Sequence, residues 1–98
     1  MKTYTGARTI DGIKVLVDGR PLDEARAIKQ FSDSGFEWAY EGTAPQQLAL
    51  AILVEHLGDN TKALEVSGTF MRELVANLEN EWTLTSADID SALGKREK

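Results

Sequence analysis

A chain of 98 residues with 42% hydrophobic and 28% charged side chains fits one folded domain and is too apolar to be a disordered segment. Cysteine is absent, which excludes a disulfide framework, a thiolate nucleophile and any Cys-ligated zinc or iron–sulfur site. The net charge of −5 is unevenly spread: residues 1–36 set six cations against five anions, residues 37–94 hold ten anions against only Lys62 and Arg72, and residues 95–98 are basic. That acidic second half repels free DNA or RNA, whose binding rests on cations that displace counterions from phosphates.

In chain order, the first forty residues read as strands. Asp11-Gly12 and Asp18-Gly19 are turn dipeptides that supply positive φ cheaply. Between them Ile13, Val15 and Val17 alternate with Lys14 and Leu16, the period of a half-buried strand. Residues 4–10 pair with that strand as a hairpin, and residues 20–23 can add a short third strand that Pro21 confines to an edge. Residues 23–34 are ambiguous between a helical turn and a loop, because Ala25, Ala27 and Ile28 precede the loop-forming Ser32-Asp33-Ser34-Gly35. Phe36, Trp38 and Tyr40 then read as one face of a further strand.

The remainder reads as helices. Thr43-Ala44-Pro45-Gln46 has the form of a capping box, and a helix apolar on nearly all sides follows to about Leu57, with Gly58 as its stop. Asp59 or Asn60 caps a second, amphipathic helix predicted to run to about Asn80, with Gly68 in its middle marking close packing or a kink. Trp82 and Leu84 read as a connector. Thr85-Ser86-Ala87-Asp88 offers a third cap for a short helix through Leu93 that Gly94 stops. The predicted fold is therefore α+β: a small antiparallel sheet of three to four strands against a buried helix, a second amphipathic helix and a short C-terminal helix. The whole is read as one domain over residues 1–98, mainly strands over 1–42, mainly helices over 43–94, and a basic tail over 95–98.

Motifs for chemistry are few. The lone histidine, His56, lacks the second histidine of a helical zinc site and has no nameable nucleophile, so it reads as a structural residue in a helix's last turn. Glu37 with Glu41, or Asp88 with Asp90, could do acid/base work, but neither pair has calcium-loop spacing, and Asp88 suits the role of a helix-dipole partner. No phosphate loop, dinucleotide fingerprint or nucleophile elbow occurs. A non-enzymatic protein is expected, with no cofactor and no metal site. The N-terminal residues 1–6 hold no apolar stretch of signal-peptide length, and the longest apolar run, residues 48–54, is far below the ~20 residues that span a bilayer. The expectation is a cytoplasmic protein with no membrane partner.

Residues 35–51, GFEWAYEGTAPQQLALA, resemble a small prokaryotic and phage family, number 6166 in the unknown-function series. Tyr4-Thr5-Gly6-Ala7-Arg8, the Asp11-Gly12 turn, Phe70 and Trp82-Thr83-Leu84-Thr85 also look like its landmarks. The resemblance implies a setting among phages and other mobile elements, in a host cell, and implies no mechanism. The family pattern prefers glycine where Ala39, Glu41 and Ala44 stand here, which argues against backbone flexibility or close ligand approach at that turn.

Three functional expectations follow. The first is a protein-binding module, such as a mobile-element factor that inhibits a host defence complex in the manner of an anti-CRISPR. Its acidic surface (Glu55, Asp59, Glu65, Glu73, Glu79, Glu81) would engage a cationic nucleic-acid-binding complex. The second is a nucleic-acid or nucleotide binder using the N-terminal hairpin's basic residues and Phe36, Trp38 and Tyr40 as a stacking platform; burial of Trp38 would remove it. The third is a structural or oligomerising accessory protein with an exposed apolar helix face.

Overall fold

The computed structural model describes residues 2–33 and 35–96. Its strands are β1 (Thr3–Thr9), β2 (Gly12–Val17), β3 (Arg20–Pro21) and β4 (Trp82–Thr85), and its helices are α1 (Thr43–Leu57), α2 (Asn60–Glu73) and α3 (Ser86–Arg96). The strands form one antiparallel sheet in the order β3-β2-β1-β4. The α+β reading of the sequence is the fold observed.

Both Asp-Gly dipeptides do what their backbone freedom allows. Val17 pairs with Arg20 across Asp18 and Gly19, whose φ values of 51° and 82° make a two-residue turn that matches strand twist. At the other hairpin Thr9 pairs with Gly12, leaving Ile10 almost wholly exposed at the tip. Alternation then sorts the sheet's faces. Tyr4, Gly6, Val15, Val17, Trp82 and Leu84 point inward, while Thr3, Thr5, Ala7, Lys14, Leu16, Thr83 and Thr85 lie on an outer face that is exposed or half-buried throughout. Gly6 is required by a close approach: a Cβ there would stand 2.3 Å from Trp82 Cε2.

Against the inner face lies α1, whose Leu48, Leu50, Ile52 and Leu53 are fully buried in one cluster with Tyr4, Trp38, Phe70 and Ile89. The helix ends as the sequence predicts: Gly58 adopts φ 67° and its N–H reaches the Val54 carbonyl. Its start differs from expectation. Gly42, not Thr43, is the capping residue, and no side-chain cap bond forms, so Thr43 lies inside the first turn. The α2 cap is made by Asp59, whose carboxylate accepts from Lys62 N at 3.1 Å. At α3, Thr85 and Asp88 complete a reciprocal capping box, with Asp88 N to Thr85 Oγ1 at 3.2 Å and Thr85 N to Asp88 Oδ2 at 3.0 Å.

Four further expectations need correction. The strand expected over residues 36–40 does not form. Ala39 sits at φ 76° and its N–H donates to Val75 O, while the Trp38 carbonyl accepts from Arg8, so the backbone's partners lie outside any ladder. Helix α2 stops at Glu73 and gives way to a 3-10 turn, Val75–Asn77: Leu74 N still reaches Phe70 O at 2.9 Å, but Asn77 Nδ2 takes up the Glu73 carbonyl and the chain turns extended at Leu78. The supposed connector is β4, placed by pairing with β1. Gly94 does not stop α3, which continues through residues 95 and 96 of the expected basic tail; residues 97 and 98 lie outside the described residues. Hence residues 22–42 contain no strand or helix among the described residues, and the mainly helical second half holds a strand.

The segment over 23–33 is a loop with one turn at residues 26–28, organised by Gln47. That fully buried amide accepts from Phe31 N (2.7 Å) and Ser32 N (3.2 Å), and donates to Glu24 O (2.6 Å) and Lys29 O (3.1 Å). All its hydrogen-bonding capacity is spent on loop backbone.

Candidate functional site: a groove at the β4 edge of the sheet

The six acids expected to form one surface are divided by the fold. Glu55, in the last turn of α1, is ion-paired with Lys2 at the start of the sheet, and the same Nζ approaches the Glu55 carbonyl at 3.3 Å. Asp59 is occupied in capping α2. Glu65 and Glu73 are exposed along α2, and Glu73 has a polar partner. Glu79 and Glu81 are the two that the structure brings together. With Arg8 and Asn80 they line an open groove of about 610 Å³, which Glu81 joins to a second groove of about 460 Å³ lined by Thr5, Gly6, Ala7, Trp82 and Thr83. Both are open depressions, lined by residues of β1 and β4 and of the segment that leads into β4.

Arg8 anchors this region; the sequence marked it only as part of the Tyr4–Arg8 landmark and as one of the hairpin's basic residues, with no sign of its partners. Its guanidinium donates to Glu37 Oε1 (2.7 Å), Asn80 Oδ1 (2.7 Å) and Trp38 O (3.1 Å), and Cζ lies 4.6 Å from the Trp38 ring centroid. Its positive charge is thereby directed at Glu37 and the Trp38 π-face. Glu79 and Glu81 form no ion pair among the described residues, so the groove carries uncompensated negative charge.

The aromatic row does not exist as a platform. Trp38 is 0% exposed, Phe36 is half-buried, and Tyr40 is half exposed to solvent. Trp38 instead meets Trp82 edge to face, with ring centroids 5.6 Å apart. Bases have no face of Trp38 to stack on, which removes the nucleic-acid reading in the form expected.

His56, Glu37 and Asp88 have structural settings. His56 Nε2 lies 2.6 Å from Asp90 Oδ1, joining the end of α1 to α3. Glu37 belongs to the Arg8 cluster and Asp88 to the α3 cap. Tyr4 is fully buried with no hydrogen-bond partner for its hydroxyl among the described residues; burial first, then the charges of Glu55 and Asp18, push its pKa up to about 12. Trp38 Nε1 and Trp82 Nε1 are likewise buried without partners. No group of three or more His, Asp or Glu among the described residues could hold a metal ion. No helix among them is long and apolar enough to cross a membrane.

An antiparallel four-stranded sheet with helices on one face and an open, threonine-rich other face defines a small α+β domain whose evident feature is a surface groove. The chain belongs to the family of unknown function (DUF6166), whose model matches residues 4–95. No curated protein and no solved structure matches it.

Proposed function

We propose that the protein is a non-enzymatic binding module that engages a cationic protein partner through the acidic groove at the β4 edge. The observation that carries this reading is the pair Glu79 and Glu81, which share a groove and form no ion pair among the described residues, beside an Arg8 already engaged with Glu37. Unpaired surface carboxylates of one sign steer a cationic partner and speed its association, with strong dependence on salt. In the setting that the family resemblance implies, a host cytoplasm carrying a mobile element, the partner is a cationic nucleic-acid-binding complex. Occupying its channel would inhibit it.

The third expectation, oligomerisation through an apolar helix face, has little to rest on. Leu64 is the one large apolar side chain exposed on a helix among the described residues.

Affinity capture from a bacterial lysate, at about 50 mM and about 500 mM salt, tests the proposal when run beside the double variant Glu79→Lys/Glu81→Lys. A stoichiometric partner lost both at high salt and in the variant is the expected result. Capture that is indifferent to both changes, or recovery of this chain alone, overturns it.

A further inference from the structure

The hydrogen-bond parity of the sheet determines what β4 offers on its free side. Ser86 N donates to Lys2 O at 3.0 Å and Lys2 N to Ser86 Oγ at 2.9 Å, so Lys2 and Ser86 form a bonded pair. Alternation along an antiparallel ladder makes Tyr4–Leu84 and Gly6–Trp82 bonded pairs too, and Thr5–Thr83 a non-bonded pair. The opposite parity on the β2 side agrees, since Asp18 N donates to Thr3 O at 2.8 Å. The N–H and C=O of Thr83 therefore point away from the sheet. Among the described residues neither group has a hydrogen-bond partner, and Thr83 itself is exposed. The other outward N–H of β4, that of Thr85, is already taken by Asp88.

This open stretch of edge is continuous with the groove that Glu81 and Thr83 line, and its approach is flanked by Glu79. A second copy of this chain is a poor occupant. Two β4 strands paired about Thr83 would set Glu81 of each against the Thr85–Asp88 cap of the other, acid against acid. A basic segment has the opposite fit.

We propose that the partner contributes an extended segment bearing lysine or arginine, which adds to the sheet beside β4. Its backbone exchanges hydrogen bonds with Thr83, and its alternate cationic side chains reach Glu79 and Glu81. This rests on the acidic-groove reading above and deepens it by specifying the shape of the partner's binding element. Strand addition divides the work: main-chain bonds supply affinity, and alternate side chains supply selectivity.

The test uses the full chain and a fluorescent peptide of alternating Lys and Thr, with an alternating Glu and Thr peptide as control. The Lys peptide is expected to bind, to protect the Thr83 amide from hydrogen exchange, and to weaken at least about tenfold in Glu79→Gln/Glu81→Gln. Thr83→Pro deletes the outward donor and removes no N–H that faces β1, and should weaken binding by a similar factor. Because that variant could disturb β4 itself, the exchange protection of Thr83 in the unaltered protein stands as the independent readout.

No binding of the Lys peptide at about 1 mM overturns the proposal. So does binding that leaves the Thr83 amide unprotected, or Thr83 protection that follows protein concentration and not peptide. Binding abolished by Glu79→Gln/Glu81→Gln but indifferent to Thr83→Pro and without Thr83 protection sinks strand addition and leaves the acidic-groove reading standing. Binding indifferent to the acidic variant sinks both.

Discussion

Trp38 and Trp82 meet with ring centroids 5.6 Å apart and planes at 86°, joining a segment without regular structure to the last strand of the sheet. Quadrupoles favour this edge-to-face arrangement, and pairs of this kind contribute ~0.5–1.5 kcal/mol beyond the area they bury. Trp82 also covers Gly6, and Arg8 covers the Trp38 ring, so the pair closes one end of the core. Truncating either ring should cost ~3–5 kcal/mol. Urea unfolding of Trp38→Ala, Trp82→Ala and the double variant checks this, with the double variant losing less than the sum of the singles. Strict additivity would show that the rings do not communicate.

Two opposite substitutions should each stabilise the protein. Ala39 is held at φ 76°, where a Cβ is strained and glycine is not, so Ala39→Gly should gain ~0.5–1 kcal/mol. Gly68 lies inside α2, and a Cβ there would meet only Gln46 Nε2 at 3.5 Å and Arg72 Nη1 at 3.6 Å, both ordinary contacts. Gly68→Ala should therefore gain up to ~1 kcal/mol from helix propensity. Thermal unfolding measures both, and a lowered Tm for either would contradict the geometry.

Gln47→Leu keeps the side chain's bulk and removes its amide. Phe31 N, Ser32 N, Glu24 O and Lys29 O would then lose their shared partner in a buried setting, at ~1–3 kcal/mol for each group left unsatisfied. We expect fast amide exchange at Phe31 and Ser32, and a global loss smaller than the sum of those terms because the loop can open to water. Unchanged exchange at Phe31 would refute the assignment of Gln47 as the loop's organiser.

Tyr4 predicts a specific alkaline weakness. Its folded pKa of about 12 stands above the unfolded value of 10.0, so its neutral form is held in the folded state while the unfolded chain releases the proton first. The contribution is fully present below pH 10.0 and is lost as pH rises towards about 12, a fall of roughly 2–3 kcal/mol. Tyr4→Phe has nothing to ionise there and discards a hydroxyl with no partner among the described residues, so at pH 7 it should be neutral or slightly stabilising. Denaturation curves of the two proteins should diverge above pH 10.0; parallel curves would contradict the assignment.

The sequence was most legible where a local rule acts alone. Asp18-Gly19 needs positive φ and turns; Gly58 caps α1; Thr85 and Asp88 box the start of α3. It misled where distant partners intervene. Phe36, Trp38 and Tyr40 alternate as a strand would, yet the pull of Trp82 and Arg8 on Trp38 outweighs that period. Trp82-Thr83-Leu84-Thr85 is too short to announce a strand until β1 is present to pair with it. The acids of the site were legible as composition, but not their fates. Nothing near Glu55 reveals that Lys2, far away in sequence, neutralises it. Gln47 alone left a trace, as an amide followed at once by an unbroken apolar run on α1.

The place of β4 in the sheet sets an order on folding. β1 lies between β2, which follows it within a few residues, and β4, which is synthesised only after both long helices. During translation the β1–β2 hairpin can close early, while the other side of β1 stays unpaired until most of the chain has emerged. Such distant pairing is slow, and an exposed strand edge invites the wrong neighbour while it waits. The interval before Trp82 covers Gly6 is therefore when the nascent chain is most prone to aggregate, and a chaperone that shields β1 would act in that interval.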